Sequence, residues 1–153
     1  MLFRSAGAEV IEIGMPAVHE TWVEHNIELP TSQLSSERSF SGQRFVRHLA
    51  AQAEWLRDNA GNYEYRDTGI RDATNGLADV RVIRSRSGDS IIAAPGSHPN
   101  KITFLFILSG QIELSSIKNG VKTLKAEESF VIPSQAEYLI AVIDNCELLW
   151  VAL

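Results

Sequence analysis

Cysteine is almost absent from this chain of 153 residues, Cys146 being the single one. That excludes an internal disulfide framework and any zinc site built on several thiolates, and it fits a reducing cytoplasm. Long apolar runs are missing as well: no stretch approaches the roughly 20 residues needed to span a bilayer. Arg4 stands near the start, but Glu9 and Glu12 interrupt the apolar stretch that a signal peptide would need. Nor is there an excess of positive charge. The formal net charge is -5 at pH 7 with both signs interspersed, so no basic stripe is available to neutralise phosphates and nucleic acid is not an expected partner. Gly-rich phosphate loops, a Ser-nucleophile elbow and the zinc-protease helix motif are all absent, which sets those enzyme classes aside.

What is present fits one ordinary domain with enough apolar residues to bury a core. Residues 8–13 include the β-branched Val10, Ile11 and Ile13 and read as a short strand. Residues 31–42 are polar, Ser-rich and without a period, as a loop would be. Over 43–59, Phe45, Leu49, Ala53 and Leu56 recur at helical spacing while Arg44, Arg47, Gln52 and Arg57 face elsewhere. This predicts an amphipathic helix with Ser41 as N-cap and Gly61 as its stop, covering an open end or outer face of the domain. Beyond residue 62 the chain reads as strands at 80–85, 102–108, 111–117, 121–124, 129–132, 138–143 and 147–153. Each is short, rich in Val, Ile, Leu or Phe, and bounded by turn formers. Asn119-Gly120 is a hairpin signal, since both residues tolerate the positive φ of a type I′ turn. Many short strands with regular turns indicate a sandwich or a barrel.

The run 104–114, an apolar strand that turns at Ser109-Gly110 into a second strand, resembles the end of the first cupin motif. The run 124–133, ending Phe130-Val131-Ile132-Pro133, is similar to the second, with Glu127-Glu128 where cupins carry Gly-Asp. Residues 63–76 and 144–149 resemble the lead-in and the last turn and strand of small single-domain bacterial cupins. The resemblance implies an all-β fold: a cupin-type antiparallel β-barrel, or double-stranded jelly roll, over 62–153. Residues 1–61 would then be an N-terminal extension containing one or two helices. The resemblance also implies a homodimer.

Metal-binding cupins hold their ion with imidazoles and a carboxylate or amide inside the barrel, donors that suit borderline metals. By resemblance, those positions fall here on Gly96, His98, Thr103 and Tyr138. Only His98 is retained, so neither a metal centre nor another cofactor is expected. An atypical centre would require His19, His25 or His48 to reach into the barrel.

Side chains alternate along a strand, so an inward Thr103 carries Leu105 and Ile107 with it, and an inward Tyr138 carries Ile140 and Val142. The expected lumen is apolar, with Thr103, Tyr138 and His98 as its few polar groups, and suits a small apolar or aromatic ligand. Arg84, one of three arginines at 81, 84 and 86, is a candidate clamp for a ligand carboxylate, or else part of a solvated strand face. Tyr138 is either a core residue with a satisfied hydroxyl or a proton donor, His98 either a site residue or a solvent-facing one, and Trp150 most simply core. Cys146 falls in a turn with nothing to lower its pKa and is not a nucleophile.

Three functional classes follow. The first is a metal-free cupin-like protein that binds a small, largely apolar molecule in the barrel, as sensor or accessory protein. The second is a metal-independent isomerase, cyclase or lyase using Tyr138 and His98, and the third a dioxygenase with atypical metal ligands. A filled barrel serving only as a structural module would exclude the first two.

Overall fold

The computed structural model describes residues 2–5, 8–14, 37–85, 91–93, 101–116 and 120–153. The chain divides into two compact units, Met1–Ser35 and Ser36–Leu153. In the first, β1 (Leu2–Ser5) and β2 (Ala8–Ile11) pair antiparallel, with Leu2 opposite Ile11.

The second unit is the expected all-β body. Its elements are β3 (Ser39–Phe40), β4 (Gln43–Arg44), β5 (Leu56–Arg57), β6 (Glu64–Asp67), α1 (Ile70–Ala73), β7 (Asp79–Ser85), β8 (Ile91–Ala93), β9 (Ile102–Ser116), β10 (Gly120–Lys125), β11 (Ser129–Pro133) and β12 (Leu139–Ala152). The sheet already includes β5, upstream of residue 62, through the pairs Leu56–Tyr65 and Arg57–Glu64.

Two long strands do the work of four. Sequence predicts separate strands on either side of Ser109-Gly110 and of Asp144–Cys146; in the structure β9 and β12 run through both places. Their first and second halves take different neighbours. The N-terminal half of β9 lies between β11 and the C-terminal half of β12, which pairs onward with β7, β6 and β5. The other halves pair with β10 and β8. Two layers result, joined at a crease where the β9–β12 register shifts three times between Val142 and Leu148. Gly110 sits at this crease with φ +80°, and a Cβ there would run into the Asn145 carbonyl oxygen. Only glycine meets both conditions.

One face of each layer is apolar and the two close on a single core. In the larger layer Tyr65, Ile83, Leu148 and Ile107 lie abreast on successive strands, with Arg81, Trp150, Leu105 and Phe130 in the next row. The smaller layer adds Val142, Ile112 and Leu124, then Ile140, Leu114 and Lys122. Ile83, Leu105, Ile107, Ile112, Ile140, Val142 and Leu148 are buried in one cluster. The crease also reverses the alternation on β9: odd residues point inward before Gly110, even ones after it.

The helix expected over 43–59 does not form. Ser41 and Gly42 both take positive φ, 51° and 82°, and make the two-residue turn of the β3–β4 hairpin, so Ser41 turns the chain and caps nothing. A single 3-10 turn follows at Ala50–Gln52, and then β5 joins the sheet. The Asp58 carboxylate accepts the amide protons of Ala60 and Tyr63, closing the β5–β6 loop in which Gly61 was expected to stop a helix. The apolar stripe offered too little to bury: Phe45 is 79% exposed and Leu49 and Leu56 are also exposed. Ladder bonds to β6, with Trp55 held between the guanidinium groups of Arg66 (4.5 Å) and Arg84 (3.7 Å), outweigh local helical propensity.

In the β10–β11 turn the Glu127 N–H donates to Ile107 O (2.9 Å) and the Ile107 N–H to Glu128 O (2.9 Å), locking the turn onto the crease. Glu127 holds φ +71° there, a conformation that costs a side-chain-bearing residue about 1 kcal/mol. Glu127→Gly should therefore raise stability by about 1 kcal/mol, read as a higher urea midpoint at unchanged slope.

Candidate functional site

Among the described residues, two cavities lie against the inner faces. The first, of about 650 Å³, opens between β10, β11 and the start of β12, and its wall includes Leu114, Leu124, Phe130, Ile132 and Tyr138, with Lys122 at its edge. The second, of about 350 Å³, lies against β7 and the end of β12; Tyr63, Ile83 and Trp150 form its wall and Arg71, Asp79 and Arg81 its polar side. They share no described lining residue.

Tyr138 reaches the first cavity from just before β12, where the chain enters the smaller layer. It is 7% exposed and belongs to the core cluster. Burial, and next the nearby Tyr63 phenol, push its pKa up, so the hydroxyl stays protonated well above neutrality. Tyr63 is raised as well, by burial first and then by Asp58, with Arg81 pulling the other way. Its ring meets that of Tyr65 edge-on at 6.5 Å. Three tyrosines thus lie in or against the core, an arrangement with one apolar body and one polar tip per residue.

Thr103 is fully buried, opposite Ala152 on one side and Ile132 on the other. It lines neither cavity, and neither Thr103 nor Tyr138 is without a partner. Leu105, Ile107, Ile140 and Val142 all point inward and are buried in the core, behind the cavity walls. Gly96, His98, Arg86, His19 and His25 lie outside the described residues. His48 lines a third, more open cavity of about 400 Å³ with Leu49, Asp67 and Thr68; its buried Nε2 has no hydrogen-bond partner.

Arg84, expected as a ligand clamp, alternates with the inward Ile83 and so faces the other way. Its Nε donates to Glu64 Oε2 at 2.8 Å and its guanidinium covers Trp55. The inward arginine is Arg81, one of the three that sequence leaves as either a carboxylate clamp or a solvated face. Its Nε and Nη2 donate to the two Asp79 carboxylate oxygens at 3.1 and 2.8 Å, and the guanidinium carbon lies 5.0 Å from the Tyr65 ring centre. The alternation Asp79, Arg81, Ile83, Ser85 was the signal, since Ile83 and Ser85 are buried and Arg81 shares their face.

Cys146 lies within β12 at the crease, not in a turn, and is buried. Burial pushes its thiol up to about 11, against a weaker opposing hydrogen bond from the Ser85 backbone.

Of the four positions that the resemblance assigns to metal ligands, the two described ones, Thr103 and Tyr138, do not suit a divalent ion. A phenol ligates as phenolate, and the surroundings of Tyr138 oppose its ionisation; the Thr103 hydroxyl is a weak neutral donor enclosed by the core. Among the described residues, no three His, Cys, Asp or Glu side chains gather in a position to hold a metal ion. No described helix is long and apolar enough to cross a membrane.

No family model and no curated relative matches the sequence. Solved structures do match, and they support the cupin fold. The polyketide cyclase RemF from Streptomyces resistomycificus aligns at 16% identity over 71% of this chain and 78% of its own, with a TM-score of 0.57. An ethanolamine utilization protein Q from Salmonella typhimurium aligns at 12% identity, 77% and 91% coverage, and a TM-score of 0.56. Hydroxypropylphosphonic acid epoxidase from S. wedmorenis gives 16%, 71% of this chain and 0.56, the match spanning 59% of the epoxidase. Identities this low carry the fold and nothing of the chemistry.

Proposed function

We propose that this chain, which has the cupin fold, binds a small, largely apolar or aromatic molecule in its barrel without a metal ion, as a sensor or accessory protein. The observation that carries this reading is the cavity of about 650 Å³ walled by Leu114, Leu124, Phe130 and Ile132, with the protonated Tyr138 as a directional hydrogen-bond donor. Its size is ordinary for a small-molecule pocket, and beside these apolar side chains the wall carries Lys122, Ser129, Gln135 and Glu137, polar groups able to fix orientation. We place the protein in the cytoplasm, where a lone buried thiol stays reduced, and as a homodimer by analogy with the fold.

Titration with the neutral fluorophore N-phenyl-1-naphthylamine tests the pocket. Saturable fluorescence enhancement is expected, weakened at least about tenfold by Leu124→Trp, which fills the wall, and about two- to tenfold by Tyr138→Phe. Absence of saturable binding, or equal binding by Leu124→Trp, would sink the reading.

The place of Tyr138 on the cavity wall carries a second reading. Its phenol, protonated at neutral pH, can donate a proton to a bound substrate, as in a metal-independent isomerase, cyclase or lyase; His98, the expected second residue, lies outside the described residues. Among the matched structures is a polyketide cyclase. In that case Tyr138→Phe keeps ligand binding and abolishes turnover, whereas a pure binding protein shows no turnover to lose.

A further inference from the structure

The second cavity has a composition the first lacks. The guanidinium groups of Arg71 and Arg81 line it together with the Asp79 carboxylate, which meets Arg81 at 2.8 Å and Arg71 at 3.5 Å. Asp67, opposite Arg81 on the neighbouring strand, acts on the same charge.

Arg81 is held on two sides. Asp79 occupies its Nε and Nη2 edge, and the Tyr65 ring lies 5.0 Å from the guanidinium carbon. A guanidinium fixed in this way loses little freedom on meeting a second partner. Its Nη1 protons have no partner among the described residues. The rest of the wall includes Tyr63, Leu77, Ile83, Trp150 and Leu153, flat or aliphatic surfaces suited to a ring.

We propose that this cavity is a second binding site, separate from the first, for a small aromatic carboxylate. The carboxylate would take the Nη1 edge of Arg81 and the ring would lie against Trp150 and Tyr63. A single open donor edge matches a monocarboxylate better than a phosphate, which would draw on more donors. A volume of about 350 Å³ accommodates a ring bearing one such group.

Calorimetric titration with benzoate, and with benzyl alcohol as its uncharged counterpart, tests the site. Benzoate should bind saturably and benzyl alcohol at least about tenfold more weakly. Arg81→Gln should weaken benzoate at least about tenfold and Arg81→Lys by less, because a lysine keeps the charge but not the fork. Leu124→Trp, in the first cavity, should leave benzoate binding unchanged. Equal affinity of the wild-type protein for the two probes overturns the proposal without recourse to any variant. So does the absence of saturable benzoate binding up to about 10 mM, a limit already weak for a built site. Full binding by Arg81→Gln, or its loss in Leu124→Trp, would do the same, the latter by moving benzoate to the first cavity.

Discussion

Alanine in place of Gly110 is expected to remove about 3–5 kcal/mol, most of the stability of an ordinary domain. Two costs add. The residue holds φ +80°, which a side chain resists, and its new Cβ would run into Asn145 O and lie 2.7 Å from Cys146 Cα. Both atoms are backbone of β12, fixed by ladder bonds on either side of the crease, so no rotamer change relieves the contact. Gly61 provides the comparison: its φ is +75° but nothing lies within 4 Å of a Cβ there. Gly61→Ala should lose only the conformational part, about 1 kcal/mol. Urea denaturation of both variants checks this, and equal losses would show that the close approach at Gly110 costs nothing.

Alkali should weaken the fold in a defined window. The Cys146 thiol titrates near 9 when unfolded and at about 11 when folded. Between those values the unfolded chain has released the proton and the folded one has not, so stability is complete below pH 9 and falls as pH rises to 11. Two pH units at about 1.4 kcal/mol each remove about 3 kcal/mol. Tyr63 and Tyr138, both raised by burial, extend the loss above pH 10. Unfolding free energies measured from pH 8 to 11 should slope downward, and Cys146→Ala should flatten the part below pH 10 while leaving the tyrosine part. A flat wild-type profile would rule out the buried thiol as its source.

Much of the barrel was legible in the sequence because its strands alternate cleanly. Thr103, Leu105 and Ile107 share one face and Ile140 and Val142 another, as the period of two requires. Reading β9 and β12 as pairs of short strands even helped, since the reversal of phase at Gly110 would mislead anyone extending one alternation across it. The failures have a common cause. The helical spacing of Phe45, Leu49, Ala53 and Leu56 was real, but partners distant in sequence, β6 and Arg84, decided the conformation. Arg81 and Arg84 look alike as residues, and it is the place of Ile83, not Val82, in the core cluster that shows which of them faces the interior. The tyrosine group required Tyr63, from before β6, to approach Tyr138, 75 positions later, and no local pattern announces that meeting.

The crease through β9 and β12 has one more consequence. Because both strands belong to both layers, the layers cannot rock apart as hinged jaws do without breaking ladder bonds on each side of the fold line. The spacing between them is a ruler cut into the backbone. Were the proposed ligand to bind there, its size would be read by a fixed gauge, and discrimination between molecules of different thickness would rest on the ladder itself, not on the loops around its rim.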